Sequence, residues 1–155
     1  MKIKDILIAN EPLKRLCDRR LASYKKMREL ARLRKAVEQE VEFYTAEETK
    51  AVSIYAEVDK NGAPIFLEDG RLRLKDMESK IAFEKEIEKL RDTEVDGIEP
   101  VTLCESDFRS GDDLPTVSEM IALEPLVVFD LSGRQLRNIA VPGLYIVNGK
   151  KTVIK

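Results

Sequence analysis

The side chains available for chemistry in this chain are carboxylates, lysines and two cysteines, because its 155 residues include no histidine. The chain therefore has no Ser-His or Cys-His nucleophilic pair, no HExxH zinc site and no imidazole general base. Cys17 and Cys104 lie far apart and outside any CxxC motif, which predicts free, buried thiols in a reducing compartment. A Ser-Lys pair stays open, but no local motif supports one. We predict that the protein is not an enzyme.

Acidic side chains in probable loops of the second half of the chain form a candidate site for a hard cation. They are Asp92, Glu94, Asp96, Glu99, Asp107, Asp112 and Asp113. The spacing of a calcium-binding loop is not met, since the glycine and the closing glutamate are misplaced. Turn and helix-cap roles explain these residues more simply, so we predict neither a metal site nor a cofactor.

A basic stretch covers residues 14–35, where lysines and arginines are opposed only by Asp18 and Glu29. At helical spacing Arg28, Arg32 and Lys35 fall on one stripe that could neutralise phosphates. The glutamates of residues 38–48 reverse the sign of the charge, which favours a charged protein partner or a solvated helix face instead. Nucleic-acid binding through this stripe is our alternative function.

The element that must carry the basic stretch is a long helix. Between Pro12 and Gly62 there is no glycine or proline, and apolar residues recur at spacings of three, four and seven, close to the heptads of a coiled coil. Asn10 is the predicted N-cap, with Pro12 in the first turn. Thr45–Glu48 fits a capping box, so a break there stays open. Without a break the rod would be roughly 70 Å long.

A hairpin signature follows, in which Asp69-Gly70 separates two alternating runs. A two-residue loop would give one apolar face, formed by Ile65, Leu67, Leu72 and Leu74, and would leave Phe66 on the charged face. The next helix, within residues 75–92, has an apolar face of Met77, Ile81, Ile87 and Leu90, with Phe83 alongside. The pattern predicts an antiparallel helical hairpin with a β-hairpin at its tip.

The remaining elements are short. Val101–Cys104 is a predicted strand, and a short helix over 114–123 has Asp113 as its cap and Pro115 in its first turn. Two hairpins follow, one turning at Ser132-Gly133 and one at Asn148-Gly149. The second hairpin would pair Val147 with Lys150, Tyr145 with Thr152, and Leu144 with Val153. An isolated hairpin is marginal in water, so these strands must dock on another surface.

The predicted second helix, of about 16 residues and 24 Å, covers only part of the apolar stripe on the first helix. Either the C-terminal elements of the chain cover the rest, or a protein partner or second copy does. Both interpretations stay open. The predicted partner-binding residues are Leu13, Leu16, Leu21, Tyr24, Met27 and Leu30.

Two resemblances carry evolutionary information. Residues 1–128 resemble a family of small phage and prophage proteins of unknown function, through Tyr55-Ala56-Glu57, Asp59, Asn61-Gly62, Pro64-Ile65 and Ala122–Pro125. That resemblance implies no activity and no catalytic residue. Residues 127–155 resemble the C-terminal tail of Bacteroidetes proteins secreted by the type IX route, through 128–131, 133–134 and 143–151. That route needs an N-terminal signal peptide, and the short apolar stretch near Ile6–Ala9 does not fit one. We interpret the tail as recombined or engineered.

These patterns together predict an α+β fold with a helical-hairpin domain over 1–125 and a β-hairpin tail over 126–155 packed on it. The predicted function is that of a non-enzymatic phage or prophage protein, either a virion or assembly component or an accessory protein, acting through protein–protein contacts or homo-oligomerisation. A surface-exported protein is a third possibility. No apolar run approaches the roughly 20 residues of a membrane helix, so we expect no membrane partner, and a location in the host cytoplasm or the virion.

Overall fold

The computed structural model describes residues 1–131 and, for the backbone alone, residues 143–147 and 150–154. The α-helices in these ranges are α1 (Ile3–Asp18), α2 (Tyr24–Tyr55), α3 (Met77–Arg91) and α4 (Val117–Leu123). The strands are β1 (Val101–Cys104), β2 (Val127–Asp130), β3 (Gly143–Val147) and β4 (Lys150–Ile154). The predicted mixture of helix and strand is confirmed.

Helix α1 begins at Ile3, earlier than predicted. At its start the carboxylate of Asp5 accepts a hydrogen bond from the backbone N–H of Lys2 at 2.9 Å. Pro12 lies inside the helix, so the prediction of an Asn10 cap with Pro12 in the first turn is wrong. The physical reason is a buried stripe that starts upstream of the proline and offsets the hydrogen bond that Pro12 removes. Its members are Ile3, Ile6, Ala9, Leu13 and Leu16.

The sequence predicted a single long first helix, and that prediction is wrong. Helix α1 ends at Asp18, and a separate helix, α2, begins at Tyr24. Ser23 caps the new helix, its Oγ accepting from the N–H of Lys26 at 3.3 Å. Leu21 lies in the interruption and is buried. The N–H of Ala22 donates to the carbonyl of Asp107 at 2.7 Å. A distant segment of the chain therefore holds this break.

Helix α2 then continues without interruption past Thr45, the position at which the sequence left a helix break possible. The Oγ1 of Thr45 donates to the carbonyl of Val41 at 2.8 Å, so this hydroxyl is used inside the helix instead of capping a new one. The 32 residues of α2 correspond to about 48 Å of helix.

Helix α3 starts behind Asp76, whose Oδ1 accepts from the N–H of Ser79 at 2.6 Å. The ring of Tyr55 meets that of Phe83 edge-on, with centroids 6.3 Å apart. Further along, Nε of Arg91 donates to the hydroxyl of Tyr44 at 3.2 Å. The end of α2 thus contacts the first half of α3, and the middle of α2 contacts the end of α3.

The apolar face predicted for α3 is only partly buried. Ile87 is buried, whereas Met77 is 68% exposed and Ile81 is 49% exposed. The residues of this apolar face differ in burial because the contacts with α2 lie further along α3.

The hairpin register predicted between α2 and α3 is wrong by one residue. Phe66 bridges Leu72, and the N–H of Leu67 donates to the carbonyl of Arg71 at 2.7 Å. The loop therefore has three residues and ends in Gly70, whose φ of +81° supplies the left-handed position that such a loop requires. The shift separates the residues of the predicted apolar face.

Three backbone hydrogen bonds close the tip into a ring. The N–H of Glu57 donates to the carbonyl of Arg73 at 2.9 Å, that of Arg73 to Ile65 at 2.8 Å, and that of Ile65 to Glu57 at 3.0 Å. The tip is therefore a small three-segment structure, fixed by main-chain contacts, where the sequence predicted a two-stranded hairpin.

Strands β1 and β2 form a two-stranded parallel sheet, from Val101 beside Val127 to Cys104 beside Asp130. Helix α4 lies between them in the chain, as the crossover of a parallel pair requires. The predicted Asp113 cap is wrong, because α4 begins at Val117 behind Thr116, whose Oγ1 accepts from the N–H of Glu119 at 3.3 Å.

The sheet packs with α1, α2 and α4 around one core. Leu126 and Val127, which directly follow the predicted domain boundary at 125, lie in this core. Its fully buried large side chains include Ile6, Leu13, Leu16, Leu21, Leu30, Leu103, Leu123 and Leu126.

Strands β3 and β4 pair antiparallel in the predicted register, with Val147 opposite Lys150, Tyr145 opposite Thr152 and Leu144 opposite Val153. That prediction is confirmed. The predicted turns at Ser132-Gly133 and Asn148-Gly149 lie outside the described residues.

Candidate interaction site

The apolar stripe predicted to need a partner is largely covered by the chain itself. Leu13, Leu16, Leu21 and Leu30 are each at most 2% exposed within the core formed with α4 and the β1–β2 sheet. Met27 is partly buried against the same core, and Tyr24 is exposed. Of the two coverings that the sequence left open, the structure shows the internal one. The four leucines are therefore not available to a partner in this fold.

The three residues of the alternative nucleic-acid site lie on one exposed stripe of α2. Arg28, Arg32 and Lys35 follow one another at spacings of four and three, and all three side chains are exposed. Within residues 1–131 none of the three forms an ion pair, whereas the neighbouring Arg34 pairs with Glu38 at 2.9 Å. Glu29, which lines the same open cleft as Arg32, pairs with Lys26 at 2.8 Å.

The most exposed apolar surface near the α2–α3 connection is one that the sequence did not single out. We call it the tip surface and define it as the exposed side chains of Phe66, Leu67, Met77 and Ile81 together with the half-buried side chains of Leu72, Leu74 and Phe83. Phe66 bridges Leu72, so the two share a face of the ring. Met77 and Ile81 are four residues apart on α3 and therefore share a helix face.

The tip surface contains a groove of about 520 Å³, which brings Leu67, Leu72, Leu74, Met77 and Phe83 together. The charged side chains of its rim are Arg71, Arg73, Asp76, Lys80 and Glu84. Two of these side chains already form ion pairs: Arg71 pairs with Asp69 at 2.6 Å, and Arg73 pairs with Glu57 at 2.9 Å. The groove is therefore an apolar floor inside a rim of mixed charge, which is the composition of a protein-contact surface.

The tip surface stands away from the core. Val37 is a core residue of α2, and Ala56 is the first residue after that helix, so about 28 Å of helix separates them. Exposed apolar patches on a soluble domain commonly mark interaction sites. The position of this one, on a projecting element, makes it accessible to a large partner.

One sequence signal pointed to this surface. The predicted register placed Phe66 on the charged face of the hairpin, which already implied an exposed aromatic side chain. The rest was missed, because the same register placed Leu67, Leu72 and Leu74 on a packed face and because Met77 and Ile81 match a buried helical period.

The cysteines and loop carboxylates have local roles. Burial raises the pKa of the Cys17 thiol to about 11, and its Sγ lies 3.8 Å from the carbonyl oxygen of Leu30. That thiol is therefore a poor nucleophile at neutral pH. Among the carboxylates, Asp92 pairs with Lys4 at 2.7 Å and Asp107 accepts from the N–H of Cys104 at 2.8 Å. Within residues 1–131, no three cysteine or carboxylate side chains gather as metal ligands would.

No protein-family model, curated protein or solved structure matches this chain. In the described part of the chain, no helix has both the length and the apolar character needed to cross a membrane.

Proposed function

We propose that this chain is a non-enzymatic binding protein that contacts another protein through the tip surface. The observation that carries the proposal is the exposure of Met77, at 68%, on the apolar groove near the α2–α3 connection, together with that of Phe66, at 62%, which bridges the groove residue Leu72. The resemblance of residues 1–128 to phage and prophage proteins supports the narrower hypothesis of a virion or assembly component, or of an accessory protein acting on a host protein.

The tip is suited to binding because its backbone is fixed before a partner arrives. The ring of hydrogen bonds among Glu57, Ile65 and Arg73 holds the segments that carry Phe66 and Leu67. A preformed surface loses less conformational entropy on binding than a disordered loop does. Methionine and aromatic side chains also adapt to apolar partners, and aromatics are enriched in interface cores.

The first prediction tests this surface by site-specific photo-crosslinking in the native host. A benzoylphenylalanine at Phe66 should give a discrete crosslinked product with a partner, and the same probe at Phe43 should not. Phe43 is a matched control, because it is an exposed phenylalanine on α2 that lies outside the tip surface. Replacing Met77 by serine should remove the Phe66 product while changing the free energy of unfolding by only about 0.5 kcal/mol, since Met77 is a surface residue.

Two results would contradict the proposal: no discrete product from position 66, or the same product from positions 66 and 43. A product formed between two copies of the chain would identify the partner as a second copy and assign a homo-oligomeric role.

The alternative function, nucleic-acid binding, is favoured by the exposure of Arg28, Arg32 and Lys35 without an ion pair in the described residues. The second prediction applies to this alternative. Changing all three to alanine should reduce the slope of log affinity against log salt by about three for duplex DNA, as measured by fluorescence anisotropy. The matched control changes three exposed cations of α3 that likewise form no ion pair within residues 1–131, Lys80, Lys85 and Lys89, to alanine and should leave the slope unchanged. Equal slopes in both variants would refute the alternative.

A further inference from the structure

The exposed apolar stripe of α3 points away from α2. Phe83 contacts the ring of Tyr55 on α2, and Ile81, two residues before Phe83, lies about 160° around the helix from it. Ile81 is 49% exposed, and Met77, about one turn earlier on the same side, is 68% exposed. Because α2 packs on the other side of α3, this stripe is accessible to a helix of another molecule.

Two acidic and two basic side chains border the stripe. At about 100° per residue, Lys80 and Glu84 fall on one flank of it, and Glu78 and Lys85 fall on the other. All four side chains are exposed, and none forms an ion pair within residues 1–131. Lys80 and Glu84 do not pair with each other, although they have the spacing of four at which intrahelical pairs form. These charges are therefore available to another molecule.

The charges of each flank are complementary to the same flank of a second copy. When a two-fold axis relates two antiparallel helices, each flank of one helix meets the same flank of the other. Lys80 of one copy then faces Glu84 of the other if the axis passes at Ala82. Glu78 faces Lys85 if the axis passes half a residue earlier. These two axis positions differ by only about 0.8 Å along the helix, so a single arrangement forms four ion pairs.

A parallel arrangement of the two helices fits the charges less well. In parallel helix pairs the flanking residues that face each other across the contact are five apart in sequence. That spacing would bring Lys80 of one copy beside Lys85 of the other, which is a repulsive contact. Aligned helix dipoles would also oppose the parallel arrangement.

A second groove on α3 agrees with the antiparallel arrangement. It has a volume of about 440 Å³ and lies along the C-terminal half of α3, where Phe83 and Ile87 line it. Phe83 and Glu84 also line the groove of the tip surface, so both grooves lie on the same flank of α3. Antiparallel pairing about residue 82 places Met77 of one copy level with Ile87 of the other. The apolar tip of each copy therefore lies beside the second groove of the other copy.

We propose that the partner of the tip surface is a second copy of this chain, bound through an antiparallel two-fold contact between the two α3 helices. This inference rests on the proposed function, because Met77 and Ile81 belong to the tip surface. One 15-residue helix and one tip from each chain form an interface at the small end of the specific range, so dimerisation is expected at roughly micromolar or higher concentrations.

Exchange of charge between positions 80 and 84 tests the pairing, with sedimentation velocity of the full chain as the measurement. Lys80→Glu or Glu84→Lys alone places like charges at both contacts of that flank and should weaken dimerisation at least about tenfold. An equimolar mixture of the two variants should form a heterodimer, because two acids of one chain then face two bases of the other. A parallel pair would not be restored by mixing. The control Lys35→Glu, at an exposed lysine of α2 with no ion pair within residues 1–131, should leave dimerisation unchanged.

The double variant Lys80→Glu/Glu84→Lys has the composition of the parent and should dimerise as the parent does. Recovery in this variant excludes misfolding as the cause of the loss in each single variant.

A cysteine at position 81 gives an independent measurement. Ile81 lies beside the proposed axis, where helices 8–10 Å apart leave its two Cα atoms about 4–6 Å apart, within reach of a disulfide. With Cys17 and Cys104 replaced by alanine, mild oxidation of Ile81→Cys should link two chains. Ile8→Cys, at an exposed isoleucine of α1, should not.

Three results would overturn the inference: a monomeric parent that gives no disulfide at position 81, single charge variants that dimerise as the parent does, or a mixture that stays monomeric. The proposed function fails by a different result, the absence of any product from the Phe66 probe. A Phe66 product with a different protein, from a chain that is itself monomeric, would overturn this inference and leave the proposed function standing.

Discussion

Replacing Leu13 by alanine is expected to lower the free energy of unfolding by about 2–5 kcal/mol. Leu13 is 1% exposed in the core shared by α1, α2, α4 and the β1–β2 sheet, so its truncation removes buried apolar area and leaves a cavity. Ile8→Ala on the same helix is the control, because Ile8 is 64% exposed and its loss should change the unfolding free energy by only about 0.5 kcal/mol. Urea unfolding followed by far-ultraviolet circular dichroism measures both.

This pair of variants distinguishes a core residue from a partner-binding residue. If Leu13 faced a partner, its truncation would weaken association and leave the unfolding of the isolated chain nearly unchanged. Equal urea midpoints for Leu13→Ala and Ile8→Ala would therefore contradict the internal packing of α1. The same comparison tests the helix break, because α1 packs on α2 only if the chain turns between Asp18 and Tyr24.

The elements that could be predicted from the sequence are those specified by neighbouring residues. The β3–β4 register could be predicted from Asn148-Gly149, because this pair of residues favours a two-residue loop and such a loop allows only one pairing. The positions of strand β1 and of the central part of helix α3 could be predicted in the same way. The tip shows where local sequence is not sufficient. Glu68-Asp69-Gly70 is compatible with a two-residue or a three-residue loop, and the loop length decides on which face of the hairpin each strand residue lies.

The features that could not be predicted depend on contacts between distant segments. The break at residues 19–23 has no glycine or proline, and it is held by Leu21 in the core and by Arg19, whose Nη1 donates to the carbonyl of Asp113 at 2.6 Å. The parallel pairing of β1 with β2 likewise depends on where α4 packs. A helical period cannot reveal either feature, because it shows which face is apolar and not what covers it.

That distinction also explains why the proposed site differs from the predicted partner-binding residues. An apolar stripe on a helix needs a cover, and in this chain α1 and α4 supply it for the leucines around the break. Near the tip, Met77 and Ile81 form an apolar face of α3 that those elements do not cover, and both residues remain exposed. The proposed interaction site is therefore an apolar helix face that the fold leaves uncovered.

The second stability prediction concerns Glu119, which connects the helix break to α4. Its carboxylate accepts from the N–H of Thr116 at 2.9 Å and pairs with Arg19 at 3.2 Å. Glu119→Ala should lower the unfolding free energy by about 1–2 kcal/mol at neutral pH, because it removes half of a capping box and one partner of an ion pair. Glu119→Gln should lose less, since an amide oxygen can still accept from Thr116.

The pH dependence separates the charge of Glu119 from its role as a cap. The hydrogen bond from the Thr116 backbone, and then the nearby Arg19 guanidinium, hold the pKa of Glu119 below its ordinary value of 4.5. Folding therefore favours the ionised form, and this stabilisation is present above pH 4.5 and is lost as the pH falls through the lower folded-state pKa. The difference in urea midpoint between the parent and Glu119→Gln should shrink on acidification, whereas Glu42→Gln, at an exposed position of α2, should follow the parent throughout. A difference that is the same at neutral and acidic pH would show that the Glu119 charge does not contribute, and that Glu119 acts only as a local cap of α4.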